Sequence, residues 1–459
     1  MMEPSPRTGT QEAKTRPTRT RQKVLFLIVL AALSIRLALL YYFQSYMIES
    51  DWAFGYETGR IAEAIATGKG FSSPFPEPTG PTAWLMPAYP YFLALIFKIF
   101  GVYTTQAALV ALAANCLLSA LSCAAIFYVA APLFGEAAGY GAAVVLALYP
   151  PSVWHAINTI WDTTAFAFLS IVLIAWVIQL PGRLTLHRGL LLGLFMGFMA
   201  NVNAVILIYY PFVALWLLFH RSQTWKDRFQ FVTTITLATC LMLTPWLVRN
   251  HRVFDRVMLR SNFGLELRLG NNEPVWDALV SGRHYNVLDD HPTNSESELL
   301  RYQAMGEIPY MDEARKEAIA FIAANPAKFF RLSLDRMALF WFGEKAGASE
   351  WTGNLRTSIS LSGIKKMLHL LPLPFMMVGI ALAMGQRRPA APLLAFLFLV
   401  PLVYYFTHVA ERYRFIVEPV ILVFGVYALS PMTRLWKGKG AAGTTGDVTS
   451  LIVSIDDNR

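Results

Sequence analysis

Long apolar runs with few or no charges recur along the chain, separated by polar or basic segments. The first, residues 24–43, meets the length of about 20 residues needed to cross about 30 Å of hydrocarbon. Residues 104–131, 231–248, 364–385, 389–407 and 415–429 are comparable runs. Residues 137–180 are too long for one span and carry a single formal charge, Asp162, which predicts a hairpin turning at Tyr149-Pro150-Pro151. Residues 189–219 predict two short spans turning near Asn201 and Asn203, with one long tilted span as the competing reading. Residues 84–97 are apolar but only 14 long and end at Lys98, so they predict a segment lying at the interface. The pattern as a whole predicts an all-α polytopic membrane protein with about ten transmembrane helices.

The charged residues orient this framework. Residues 1–23 carry Arg7, Lys14, Arg16, Arg19, Arg21 and Lys23 against Glu3 and Glu12, predicting a disordered, uncleaved cytoplasmic tail under the positive-inside rule. Basic residues at 183–188, 387–388 and 434–439 predict further inner loops. The first loop, 44–103, then faces outside, as does a polar block at 250–363 that holds 15 of the 30 acidic residues. Residues 24–249 and 364–430 form the membrane body, and 431–459 a second cytoplasmic tail. Within the polar block, residues 312–324 read as a helix interrupted by Pro326, followed by a mixed apolar and charged stretch, 328–342, suited to the outer interface.

Composition agrees: 55% of the 459 residues are hydrophobic and only 15% charged, which excludes a soluble or disordered chain of this length. Cys116, Cys123 and Cys240 all lie in apolar runs and form no disulfide framework or zinc spacing. There is no P-loop, dinucleotide fingerprint, G-x-S-x-G or H-E-x-x-H, so neither nucleotide chemistry nor nucleic-acid binding is indicated. Gly189, Gly193 and Gly197 form overlapping G-x-x-x-G steps that predict close helix packing.

The candidate chemistry lies near the outer boundary. Asp51 precedes an amphipathic stretch (Phe54, Ile61, Ala62, Ile65, Ala66) whose spacing predicts a helix pressed on the membrane surface, and Asp51 is either that helix's cap or a catalytic or metal-binding carboxylate. Asp162 is an isolated acid among apolar residues, where a carboxylate costs about 2.5–3.5 kcal/mol at mid-bilayer; it is either a span's N-cap or the partner of a metal, an arginine or a substrate. Arg249, at the end of the 231–248 span beside Trp246, is either an anchor or a phosphate ligand, since a guanidinium forks two hydrogen bonds onto phosphate. His408, Glu411, Arg412, Tyr413 and Arg414 form a polar cluster between two spans, where the arginines would suit an anionic headgroup or the cluster is an ordinary loop. Arg36 sits inside the first span, about 10 Å from its outer end and within snorkelling reach of the interface.

Taken in order, these motifs resemble a family. Asp51, Tyr56, Gly68-Lys69-Gly70 and Pro87-Ala88-Tyr89-Pro90-Tyr91, then Pro245 to Asn250 with Phe263-Gly264 and Gly270-Asn271-Asn272, then the 318–341 helical stretch, then Glu411-Arg412-Tyr413-Arg414 with Glu418-Pro419, are similar to the motif order of GT-C-fold glycosyltransferases. The resemblance spans roughly residues 24–430. It is to bacterial relatives of dolichyl-phosphate-mannose protein mannosyltransferases and of lipid A aminoarabinose transferases. It implies a GT-C-like fold with outer-face interfacial helices and one large outer loop domain. It further implies an enzyme of the bacterial inner membrane that moves a sugar from a polyprenyl-phosphate donor to a lipid, glycan or protein acceptor on the outer face. Some members bind a divalent metal. By the same resemblance Asp51 is the essential first-loop acid and base, and Asp162 is the second acid, with both as metal ligands. Arg249, Arg412 and Arg414 would stabilise the leaving phosphate; Tyr56, His408, Glu411 and Tyr413 would contact substrate. Direct attack would invert the anomeric centre. Trp161-Asp162 and Asn201-Val202-Asn203 depart from the family's usual Glu and Arg-Pro. The rival readings are a lipid-linked-sugar transporter or flippase and an O-antigen-ligase-like enzyme; no repeated halves support the former.

Overall fold

A computed structural model describes residues 18–48, 51–180, 184–219, 223–283, 285–343 and 366–441, with the backbone alone at 51, 52, 287, 411 and 430–441. The first 17 residues, the end of the polar block and the tail from 442 lie outside the described residues, as do the side chains of Asp51 and Glu411.

The described structure is helical throughout, apart from an isolated bridge between Ser72 and Pro81. The membrane body begins with α1 (Thr18–Phe43), then α2 (Glu57–Ala66), α3 (Ala88–Phe100), α4 (Thr105–Phe134), α5 (Glu136–Leu148), α6 (Pro150–Asn158), α7 (Thr163–Gln179), α8 (Leu186–Val202), α9 (Tyr210–Phe219) and α10 (Trp225–Phe254). The polar block supplies α11 (Phe263–Gly270), α12 (Glu273–Ser281), α13 (Glu296–Met305), α14 (Glu307–Ala324) and α15 (Pro326–Phe342). The chain closes with α16 (Pro372–Gly385), α17 (Ala391–Leu399), α18 (Leu402–Phe406), α19 (Glu411–Phe415) and α20 (Glu418–Ala441).

Among the described residues, four helices are long and apolar enough to cross a membrane: α1, α4, α10 and the helix over 366–385 that contains α16. The remaining apolar segments are shorter helices broken at identifiable positions. Asn203 ends α8 and accepts from Val205 N, starting the short turn that leads to α9; this is the break expected near Asn201 and Asn203. Pro326 opens α15 at its first turn, where a missing N–H costs nothing. Along α1, Leu25, Ala32, Arg36 and Leu40 face the bundle, while Phe26, Leu27 and Leu30 remain exposed. A band of large apolar side chains left outward is the surface a lipid bilayer would cover.

The glycine steps do what their spacing predicts. A Cβ on Gly193 would lie 2.5 Å from Ile235 O, and one on Gly197 would lie 2.5 Å from Met242 Cβ. Thr239 then donates to Gly193 O at 3.0 Å, locking α8 onto α10.

Three expectations change. Helix α10 runs past 231–248 at both ends: Thr224 caps its start by accepting from Asp227 N, and the helix stops only where Asp255 turns left-handed at φ 53°. Arg249 therefore lies inside a helix rather than beyond one. Helix α2 is not a surface helix; Ile61 and Ala62 are fully buried, and Phe54 just ahead of it packs against Phe97 of α3. Arg36 does not snorkel. It is fully buried and donates to Ser119 Oγ (2.9 Å), Ala147 O (3.0 Å) and Leu146 O (3.3 Å). Leu146 and Ala147 end α5, where carbonyls lack a partner within the helix, so Arg36 satisfies a helix C-terminus and complements its dipole.

Candidate active site

The sequence offered several arginines of similar promise, and the fold divides them. Arg414 is buried and gives its two terminal nitrogens to Trp341 O (3.0 Å) and His369 O (2.6 Å). Arg249 donates to Phe71 O (2.9 Å), Thr82 O (2.6 Å) and Asn250 Oδ1 (2.9 Å) and stacks near Phe71, Trp246 and Phe254. In both, these donors go to backbone carbonyls of distant segments and tie those segments together. Arg336, which sequence reading passed over, acts likewise on Gly270 O, Tyr405 O (2.7 Å) and Asn271 Oδ1 (3.1 Å).

Arg412 is different. It is half-buried, and its guanidinium lies 4.1 Å from the centre of the Trp161 ring, a cation–π stack beside Asp162. Asp162 occupies the N-cap position of α7 but makes no cap hydrogen bond. Its carboxylate instead accepts from Asn203 Nδ2 at 2.9 Å and lies in the field of Arg260 and Arg412. The capping interpretation of Asp162 is thereby removed. The Asn203 that departs from the family pattern is the residue that orients it.

The first loop reaches the same place. Gly55 has φ +80°, and a Cβ there would sit 2.5 Å from Ile160 O, so only glycine allows this approach. The next residue, Tyr56, packs edge-on against Trp161 at 5.3 Å. The short 3-10 turn Asp51–Phe54 lies just ahead of this contact in the chain.

The polar block closes the site from one side. Glu266 on α11 lies 3.0 Å from His408 Nδ1 and accepts from Asn262 Nδ2 at 2.6 Å. Burial by itself would raise the Glu266 carboxyl, but His408, Arg260 and His291 hold it down at about 2, so it is ionised at any working pH. His408 Nε2 lies 3.3 Å from the Tyr413 hydroxyl, and Tyr413 stacks on Tyr404 at 4.1 Å. Glu57 of α2 accepts from Thr293 Oγ1 at 2.6 Å and lies 3.9 Å from His291 Nε2. Burial lowers the His291 imidazole, and Glu57 and Glu266 oppose this. Glu307 accepts from Ala83 N and from the Tyr302 hydroxyl, both at 2.7 Å, stapling the first loop to the polar block a second time.

The structure thus assembles Tyr56, Asp162, His408, Arg412 and Tyr413 and draws Arg249 and Arg414 into structural roles. It adds Arg260, whose Nε donates to Trp84 O at 3.1 Å, together with Asn203, Glu266, His291 and Glu57. Among the described residues no group of three or more His, Cys, Asp or Glu is arranged to hold a metal, and Asp162 is flanked by guanidiniums rather than by further carboxylates.

Residues 80–248 match the family model described as dolichyl-phosphate-mannose-protein mannosyltransferase, which is less than half of the chain. No curated protein sequence matches significantly. Among solved structures, the oligosaccharyltransferase AglB from Archaeoglobus fulgidus, in complex with an inhibitory peptide and a dolichol-phosphate, superposes with a TM-score of 0.53 at 13% identity over 93% of this chain and 52% of that one. The chain has the GT-C fold. A second structure of the A. fulgidus enzyme, with Zn and sulfate, gives a TM-score of 0.52 at 14% identity over 91% of this chain and 50% of that one. The chain therefore spans about half the length of the oligosaccharyltransferase it resembles. ArnT from Cupriavidus metallidurans aligns over 93% of this chain and 80% of that one at 15% identity, but with a TM-score of 0.37 it adds nothing to the assignment.

Within this GT-C fold the two arginines at first equated should behave differently. Arg249→Lys should lower thermal stability, because one ammonium cannot reach both Phe71 O and Thr82 O, and should leave donor KM nearly unchanged in the molecules that fold. Arg412→Lys should leave stability alone and weaken donor use by roughly tenfold, through loss of the planar stack and fork. Melting curves and donor titrations on the two purified variants distinguish the roles; equal effects on both readouts would refute the division.

Proposed function

We propose that the protein is an integral membrane glycosyltransferase. It moves a sugar from a polyprenyl-phosphate donor to a hydroxyl-bearing acceptor at the outer face of the membrane, with inversion. The observation that carries this reading is the half-buried junction at which Arg412 stacks on Trp161 beside Asp162, with Arg260 in the field of that carboxylate and Tyr56 of the first loop against Trp161. The GT-C fold, the dolichyl-phosphate donor named by the matching family and the dolichol-phosphate held by the archaeal relative support the donor class.

The chemistry follows from charge. Cleaving the anomeric carbon–oxygen bond leaves a phosphate monoester that gains negative charge as the bond breaks. Arg412 and Arg260 are fixed cations for that charge, and fixed dipoles or cations count most in a site shielded from water. The attacking hydroxyl must lose its proton, and Asp51 is the proposed base. The exposed apolar flanks of the helices are suited to the polyprenyl tail. A divalent metal shared by Asp51 and Asp162 remains part of the proposal, and its test is chelation: full activity after a chelator and desalting would remove it.

The direct experiment is transfer from short-chain polyprenyl-phosphate sugars, hexose and pentose, in detergent, with glycan and glycoprotein profiling of cells with and without the protein. Asp51→Asn preserves size and removes the base, so transfer should fall at least 100-fold in a folded protein. Near-normal turnover would return Asp51 to a structural role. Reporter fusions at Lys226 and Ser281 should map to opposite sides of the membrane; the same side for both would refute the outer-face orientation.

A further inference from the structure

Glu266, His408, Tyr413 and Arg412 form an ordered chain: Glu266 to His408 Nδ1 at 3.0 Å, His408 Nε2 to the Tyr413 hydroxyl at 3.3 Å, and that hydroxyl to Arg412 Nη2 at 3.5 Å. Its ends have fixed polarity. An ionised carboxylate can only accept hydrogen bonds and a guanidinium can only donate them. The polar contacts between them run without a gap from the carboxylate to the guanidinium. Glu266 and His408 meet at ion-pair distance, the Tyr413 hydroxyl lies against His408 Nε2, and Arg412 donates to the Tyr413 oxygen. The last two links are long, as hydrogen bonds at unliganded sites often are before a ligand tightens them.

We propose that Glu266 is a positioning residue that holds His408 and, through Tyr413, keeps Arg412 in its stack on Trp161. The polar block thereby aims the cation that binds the donor phosphate, a statement that rests on the reading of Arg412 given above. Three features support the direction of control. Glu266 is itself held by Asn262 Nδ2 at 2.6 Å, so its carboxylate is oriented from its own side. Tyr413 is clamped against Tyr404 with ring centres 4.1 Å apart, which leaves the hydroxyl little choice of direction. Arg412 faces Trp161 at 4.1 Å, and a shift of its guanidinium changes that contact directly. The chain joins segments far apart in sequence, α11 of the polar block and the 408–413 turn, so the arrangement exists only when the two are docked.

Glu266→Gln is the decisive substitution. Glutamine keeps the shape of the side chain and removes the negative charge opposite His408, so the contact that anchors the chain is lost. The first measurement is the contribution of Trp161 to tryptophan emission, obtained as the difference between each protein and its Trp161→Phe counterpart. Glu266→Gln and Tyr413→Phe should alter that contribution in the same way, and the double variant should match either single one. The second is binding of farnesyl phosphate in detergent. Glu266→Gln and Tyr413→Phe should each weaken it by roughly tenfold, and together by no more than either alone, since both break one chain. Unchanged Trp161 emission in Glu266→Gln, or losses that multiply in the double variant, would overturn the proposal. If the unmodified protein fails to bind farnesyl phosphate, the assignment of Arg412 to the donor phosphate fails, and the emission measurement still decides whether Glu266 positions it.

Discussion

Asp162→Asn should reduce transfer by about 100-fold or more while the protein still folds. The substitution is chosen because asparagine keeps an oxygen that can accept from Asn203 Nδ2, the 2.9 Å bond seen in the native site. What it removes is the ionisable carboxyl that Arg260 and Arg412 act on. Without it the two guanidiniums repel each other, and the preorganised arrangement for a developing phosphate is lost. Asn203→Ala is the complementary test: the charge stays but its orientation does not, and a loss of roughly tenfold is expected. The pair is measured as single-turnover transfer from a short-chain polyprenyl-phosphate sugar, with folding checked by size-exclusion profile and melting temperature. Near-normal transfer by Asp162→Asn would mean that the carboxylate only ties α7 to the Asn203 turn. A loss in Asn203→Ala as large as in Asp162→Asn would mean that orientation, rather than charge, is the essential property.

Arg36→Met should destabilise the membrane body severely, by about 3 kcal/mol or more, although it places an apolar side chain of similar length in an apolar setting. The cost comes from what Arg36 leaves behind. Leu146 O and Ala147 O terminate α5, and Ser119 and Ser152 lie beside them in a buried position, with no solvent to replace the guanidinium. Met fills the volume, so the loss measures polar satisfaction rather than a cavity. The expected signature is low yield and a lowered melting temperature in detergent, with donor KM unchanged in the fraction that folds. Stability equal to the unmodified protein would show that these carbonyls find other partners. A selective effect on donor KM would move Arg36 into the substrate site.

The division of labour among the arginines was not legible in the chain. Arg36, Arg249, Arg336 and Arg414 on one hand, and Arg260 and Arg412 on the other, are the same residue near apolar segments. Which of them is consumed depends on the carbonyls that come near, and those lie 111 residues away for Arg36 and Ala147 and 178 for Arg249 and Phe71. Glu266 and His291 were equally hidden, because single polar residues in a polar block carry no local signal. The lone acid Asp162, by contrast, stood out, since a charge within a long apolar run needs a partner whatever the fold. Its partner did not stand out: Asn203 lies 41 residues further on.

Local chemistry determined what local chemistry can. Apolar run lengths established the membrane class and the helical architecture, the Gly189, Gly193 and Gly197 spacing fixed the face on which α8 meets α10, and Asn203 and Pro326 marked helix breaks. These follow from backbone hydrogen bonding, side-chain volume and dihedral preference, all of which act within a few residues. The extent of α10, the burial of α2 and the placement of Glu266 beside His408 were decided only by tertiary structure. Each depends on which surfaces dock, and docking is governed by shape and by the pairing of buried polar groups across the whole chain.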